Sequence, residues 1–151
     1  MFGRLRTFVS ALSSGDAGER LARRFLGAKP GWSFVAANWR NPRDRREELD
    51  LVMRDGWILV FVEVKTRAAG ALVPGYHAVD RRKRRVLRRA VKAYVAALRD
   101  KPHAVRFDVV EVTLPVSPGA PPGILHFPNV PLLGPRWRPC DGGGGNASPR
   151  L

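Results

Sequence analysis

The stretch WILVFVEVKTR, residues 57–67, constrains the fold more than any other part of the chain. Trp57 to Val62 and Val64 are apolar on both faces of a two-residue period, the pattern of a central strand covered on both sides. Yet Glu63 and Lys65 stand at its end, two residues apart and so on one face. A charge taken out of water costs several kcal/mol unless something compensates it. The same strand therefore sets a fold and poses a chemical question.

Its neighbours supply the rest of an α/β layer. SSGDAGERLARRFLGAKPG (13–31) reads as a helix capped by Ser13, Ser14 or Asp16. Leu21, Ala22, Phe25 and Leu26 form its apolar face, and Gly27 to Gly31 end it. WSFVAANWR is a first strand, NPRDRRE a basic loop opened by a proline, and ELDLVM a second strand. RDGW is a tight turn, because Asp-Gly is a strong hairpin signal. After a loop at 68–75, DRRKRRVLRRAVKAYVAALRD is a long amphipathic helix with Val86, Leu87, Ala90, Val91, Tyr94 and Leu98 at helical spacing. VRFDVVEVTL is a last strand. The order helix, three strands, helix, strand predicts a mixed central sheet flanked by helices.

These elements make one domain, 14–114, after a lead-in at 1–13. From Pro115 prolines and glycines crowd together, with four glycines at 142–145, and 115–151 reads as a disordered tail. There is no internal repeat. Cys140 stands alone, so no disulfide framework forms within the chain, and a reducing cytoplasm is the expected compartment. The N-terminal apolar stretch is too short and broken for a secretory signal, and no run of 18 apolar residues predicts a membrane span.

Lysine and arginine number 27 against 13 aspartates and glutamates, a formal charge of +14. Such an excess points to nucleic acid first and to an anionic membrane surface second. Between Arg81 and Arg89 seven of nine residues are basic, with no acid among them. A solvated helix face is the usual fate of a charge run, but this one repels itself unless a polyanion neutralises it. Arg81, Arg82, Lys83, Arg85 and Arg88 are accordingly candidate nucleic-acid contacts, and Arg40, Arg43 and Arg46 form a second patch.

If Asp55 and Gly56 make the hairpin turn, Arg54 faces Trp57, Asp50 faces Phe61 and Glu48 faces Glu63. Glu48, Asp50, Glu63 and Lys65 then share one side of the sheet, where like charges opposed across strands are destabilising. The arrangement makes sense around a hard divalent cation, Mg²⁺ or Mn²⁺, which takes one or two carboxylates and leaves room for water and phosphate. A lysine beside them can stabilise charge developing on a phosphate.

The blocks GDAGERLA, AANWR, ELDLV, VFVEVKTR, HAVDRRKRRVLRRAVKAYV and RFDVV, in that order from about Gly15 to Val112, resemble the YraN family of bacterial proteins. That family is similar to archaeal Holliday-junction resolvases and the wider PD-(D/E)XK nucleases. The resemblance implies a restriction-endonuclease-like core, with Asp50, Glu63 and Glu19 as metal ligands and Lys65 as the lysine of the ExK motif. Lys83 matches a recurrent lysine before the long helix. Glu47 stands where the family pattern has glycine, and the arginine-rich loop before it looks longer than usual.

Structural readings compete at each position. Glu19, three residues after Asp16, can close a capping box. Glu63 and Lys65 can be a solvated pair at a strand end, and Glu48, a secondary candidate, can bind a nearby arginine. Asp108 reads as a structural carboxylate, and Trp39 and Trp57 as core or rim. No histidine has partners at zinc spacing. The leading expectation is a Mg²⁺-dependent endonuclease acting on DNA rather than RNA, at branched or damaged structures, with no membrane role. Junction cleavage would favour a homodimer. The alternative is a nucleic-acid-binding protein of the same fold that does no chemistry; a scaffold using charge alone is a third.

Overall fold

The computed structural model describes residues 14–69, 80–117, 119–134 and 137–139. Helix α1 (Ser14–Gly27) leads into strands β1 (Trp32–Asn41), β2 (Asp44–Asp55) and β3 (Ile58–Arg67). Helix α2 (Arg81–Ala97), β4 (Ala104–Thr113) and a short β5 (Gly123–Phe127) follow. The strands lie in chain order in one sheet. β1, β2 and β3 form an antiparallel meander, β3 and β4 run parallel, and β5 returns antiparallel along β4. A parallel pair needs a long crossover, and α2 is that crossover. The α-β-β-β-α-β order and mixed sheet are those expected for the endonuclease-like layer.

The apolar run of β3 is buried on both faces for the reason its pattern implies. Val60 and Val62 pack with Leu51, Met53, Val110 and Val112 beneath Ala22 and Leu26 of α1. Leu59 and Phe61 pack with Val52, Phe107 and Val109 beneath Leu87, Val91 and Val95 of α2. Full burial of a side chain like Phe61, which has no exposed surface, contributes about 1.5–3 kcal/mol. α2 starts at Asp80, whose carboxylate accepts from the Lys83 backbone N–H at 2.7 Å. It ends where the Leu98 N–H donates to the Val95 carbonyl at 3.2 Å and the Lys101 ammonium donates to the carbonyls of Val95, Ala96 and Leu98.

Three sequence expectations need correction. The loop at 41–47 is largely strand: only Pro42 and Arg43 lie between β1 and β2. The β2–β3 turn is Gly56–Trp57 rather than Asp55–Gly56, so Val52 faces Phe61 and Asp55 faces Ile58. Gly56 takes the positive φ of the turn, at 56°, while Asp55 is kept in the strand by Arg106 at 2.9 Å. The slip is two residues in the pairing, so the faces of β3 keep their parity. The third correction concerns the tail. Beyond Pro115, β5 pairs with β4, and Val130 and Leu132 are buried in the α2-side core. The Val130 N–H donates to the Phe107 carbonyl at 2.8 Å, and Arg88 Nε to the Leu132 carbonyl at 3.0 Å. Few apolar residues among prolines carried no period to read, yet two of them close the core. The lead-in at 1–13, Cys140 and the glycines at 142–145 lie outside the described residues.

Candidate active site

The site forms where β2 and β3 part. Their ladder runs from Asp55–Ile58 only as far as Leu51–Val62. One step further, the same register sets Asp50 opposite Glu63. There the Val64 N–H, released from the ladder, donates to Asp50 Oδ2 at 2.8 Å. A side-chain carboxylate has replaced a backbone acceptor, which satisfies the donor and fixes Asp50 at the fork.

A second distortion lies across from it. Asn38 of β1 has φ 51°, a left-handed conformation that asparagine tolerates better than most residues. The β1–β2 pairs on either side, Ala37–Leu51 and Trp39–Leu49, place it opposite Asp50. Strand alternation breaks here: Leu49 and Val52, an odd number apart, join the same core. The expected single face of Glu48, Asp50, Glu63 and Lys65 is therefore split. Glu48 leaves the group and pairs with Arg40 at 3.0 Å. Glu47 turns inward, accepting from Arg89 Nε at 2.6 Å and Asn41 Nδ2 at 2.7 Å. The residue that replaces the family's glycine is thus tied to α2.

Glu19 arrives from the other sheet face on α1. Gly18 makes this approach feasible: a Cβ there would sit 1.9 Å from Thr66 Oγ1 and 3.0 Å from Thr66 Cβ. With no side chain at 18, the first turns of α1 lie directly on the end of β3. Burial raises the Glu19 carboxyl above its ordinary range, and the charges of Asp16, Glu48 and Glu63 add to this against a hydrogen bond from Asn38.

Glu63 is the most confined carboxylate at the fork, with 2 % of its surface exposed. Its Oε1 meets Lys65 Nζ at 2.8 Å and, from the first turn of α2, Lys83 Nζ at 3.3 Å. Its Oε2 is buried with no hydrogen-bond partner. Burial, and next the Glu63 charge, push the Asp50 carboxyl up to about 7, while the Val64 N–H and the Lys83 ammonium pull against them. A buried carboxylate oxygen without a donor is costly, and a neighbouring acid held near half protonation relieves only part of the repulsion. Among the described residues no three His, Cys, Asp or Glu side chains close into a ready ligand cage. Asp50 and Glu63, with Glu19 close enough to affect Asp50, could hold a hard cation that binds few carboxylates and keeps its waters.

The structure brings together Asp50, Glu63 and Lys65 with Lys83, and Glu19 lies within their electrostatic reach. Lys83, expected among the backbone contacts, belongs to the carboxylate centre. Arg81, Arg82 and Arg85 are exposed on the same end of α2, bordering that centre. Arg88 is tied to Leu132, and Arg46 makes a two-bond pair with Asp44, whose carboxyl those bonds hold at about 2. Arg43 is exposed in the β1–β2 turn, and Arg40 is held by Glu48. The second basic patch is thus partly neutralised.

Sequence reading missed Asn38, Gly18 and Glu111. Glu111 is buried on β4, abreast of Lys65 and 3.3 Å from Arg67 Nε. Its signal was present, an acid among the valines 109–112 of an apolar run. Asp108 is structural as expected, fully buried and held by Arg106, His126 and the Asn129 N–H. Trp39 packs edge-on to Tyr94 with ring centres 5.2 Å apart, whereas Trp57 is 64 % exposed in the turn.

Comparison with known proteins identifies the chain's family. The profile of the Uncharacterised protein family UPF0102 matches residues 18–112. A UPF0102 protein of Symbiobacterium thermophilum is 46% identical over 98 residues, 65% of this chain and 80% of its own length. One from Solibacter usitatus is 44% identical over 115 residues, 76% of this chain and 86% of its own. A third, from Beutenbergia cavernae, is 47% identical over 98 residues, covering 65% and 80%. The match takes in Gly18, Asp50, Glu63, Lys65, Lys83 and every strand from β1 to β4, and the chain belongs to UPF0102, the YraN family.

Proposed function

We propose that the protein is a divalent-cation-dependent nuclease, using Mg²⁺ or Mn²⁺ to hydrolyse phosphodiester bonds in DNA at branched or damaged structures. The observation that carries this reading is the Glu63 carboxylate, 2 % exposed, with one oxygen shared by two lysines and the other without a donor. A strand gains no stability from such a group, whereas a cation beside Asp50 would satisfy the bare oxygen and offset the repulsion between the two acids.

Asp50 and Glu63 would hold the cation, with Glu19 from α1 completing the set. When bound, it would polarise a phosphate oxygen and make a bound water more acidic. The Lys65 and Lys83 ammonium groups, both on Glu63, are placed to meet charge growing on the phosphate. The water oxygen bonds to phosphorus, the bond to one ester oxygen breaks, and that oxygen leaves with a proton. Arg81, Arg82 and Arg85 would hold the backbone through phosphate contacts, which carry little sequence information. Cleaving paired strands of a branch calls for two sites, so a homodimer in the cytoplasm belongs to this reading.

One observation favours a binding protein without chemistry: Glu63 Oε1 is already neutralised by two lysines, and no three-ligand cage stands ready among the described residues. Among the described residues no helix is long and apolar enough to cross a membrane. Calorimetric titration with Mn²⁺ separates the readings. Binding that disappears in both Asp50→Asn and Glu63→Gln supports the nuclease, while identical traces for all three proteins move the reading to the binding protein.

A further inference from the structure

Beside the carboxylates, on the sheet face away from α2, a groove runs between α1 and the open edge strand β1. Its inner part, about 250 Å³, is lined by Asp16, Glu19 and Asn38 at the site end and by Arg20 and Arg23. Its outer part, about 600 Å³, shares Arg20 and Arg23 and adds Arg24, Trp32 and Phe34. The two parts adjoin, so one path leads from the Asn38–Glu19 end of the site outward along the helix.

The outer lining of that path combines arginines with exposed aromatic surface. Arg20, Arg23 and Arg24 recur at helical spacing on one exposed stripe of α1, and the outer part carries no acid. Phe34 is 40 % exposed, an apolar ring on an edge strand that contributes little to the core. The Arg23 guanidinium carbon stands 3.4 Å over its ring centre. An arginine plane laid on an aromatic ring is a surface on which a nucleobase can stack, and sequence-tolerant single-strand binding combines such platforms with a basic groove. Duplex keeps its bases stacked inside and has no use for the ring.

We infer that the α1–β1 groove takes a single-stranded nucleic-acid arm and guides it to the carboxylates, while duplex lies on the basic end of α2. α1 and α2 cover opposite faces of the sheet and both reach the fork between β2 and β3. A strand crossing from one to the other passes the carboxylate centre. The substrate class is then a junction between duplex and single strand, such as a flap, fork or gap, rather than continuous duplex. This rests on reading the carboxylates as a nucleic-acid site.

The test measures binding without turnover, by fluorescence anisotropy of the full chain in chelator. The probes are a labelled oligonucleotide, its blunt duplex, and that duplex with a single-stranded arm. Phe34→Ala and Phe34→Leu are each expected to weaken the single strand roughly tenfold, with blunt duplex changed less than about twofold. Arg85→Ala should do the reverse, and the armed duplex should respond to both changes. Phe34→Leu keeps an apolar side chain under Arg23, so equal losses in the two variants assign the effect to the ring. The inference is overturned if the Phe34 variants leave single-strand affinity unchanged or weaken both probes alike. An abasic oligonucleotide, or polyglutamate, binding as tightly as the normal strand would also overturn it, since charge alone would then suffice. Because no bond is broken in the assay, a chain that binds in this way but never cleaves refutes the nuclease and leaves the groove intact.

Discussion

Replacing Asp50 by asparagine should make the protein more stable, and by an amount that depends on pH. In the folded chain burial and Glu63 raise the Asp50 carboxyl from 3.8 to about 7. A carboxyl with a higher folded than unfolded value binds more protons when folded, so its contribution is favourable at low pH and is lost as pH rises from about 4 to about 7. Roughly three pH units at about 1.4 kcal/mol each put the full penalty near 4 kcal/mol. Asparagine has no proton to lose, and its Oδ1 can still accept the Val64 N–H now held at 2.8 Å. Asp50→Asn should therefore gain about 2–4 kcal/mol at about pH 8, shrinking to about 1–2 kcal/mol at about pH 5 and vanishing below about pH 4. The higher-pH gain corresponds to a rise of roughly 10 °C in melting temperature. Urea unfolding of both proteins across that range, in chelator, gives the comparison. A constant offset at all pH values, or a less stable variant at about pH 8, would refute the argument that Asp50 carries an electrostatic penalty. The expected pattern has the form of a function–stability trade-off, since the same variant should lose Mn²⁺ binding.

Other positions are equally open to test. Gly18→Ala should cost about 1–3 kcal/mol by forcing a methyl into Thr66, and Thr66→Ala in the same chain should recover part of it, read by thermal melting. Leu132→Ala should destabilise by about 2–5 kcal/mol in urea, which a tail outside the core would not show. Asp108→Asn removes the charge that Arg106 and His126 share and should cost about 3–5 kcal/mol. Burial alone would raise Asp108, but its three donors hold it low, so this loss should be complete at neutral pH and fade only in strong acid. Lys83→Met should reduce cleavage of an armed duplex by on the order of a hundredfold while changing binding of that duplex little; equal losses in binding and cleavage would return Lys83 to the backbone contacts.

The layered fold was legible because its strongest signals are periodic. β3 is apolar on both faces, and α2 repeats Leu87, Ala90, Val91 and Tyr94 at helical spacing, so each states its environment locally. Register was not local. Asp-Gly marked the turn but left open which residue takes the positive φ, and the pairing moved by two residues. Asp50 and Glu63 still meet because a shift of two preserves faces, yet Glu48 turns away where Asn38 and Asp50 break the alternation. No pattern announces such a kink, since asparagine in a strand is ordinary until its φ is known. Lys83 was sorted with its basic neighbours because charge reads alike along a run, and only the start of α2 beside β3 separates it from Arg81 and Arg82.

The open edge of β1 has a consequence for how the protein behaves at high concentration. β5 covers part of the far side of the sheet, but among the described residues no strand lies beyond the ten of β1, which include the exposed Phe34 and Val35. An uncovered edge invites strand pairing between molecules, and the shift in pairing between Phe34 and Ala36 interrupts this template without removing it. What keeps copies apart is then colloidal: a formal charge of +14 that makes each molecule repel the next. Salt or a bound polyanion weakens that repulsion while leaving the edge unchanged. Light scattering should accordingly show attraction growing with ionic strength, so purification at high salt would trade freedom from nucleic acid for a tendency to self-associate.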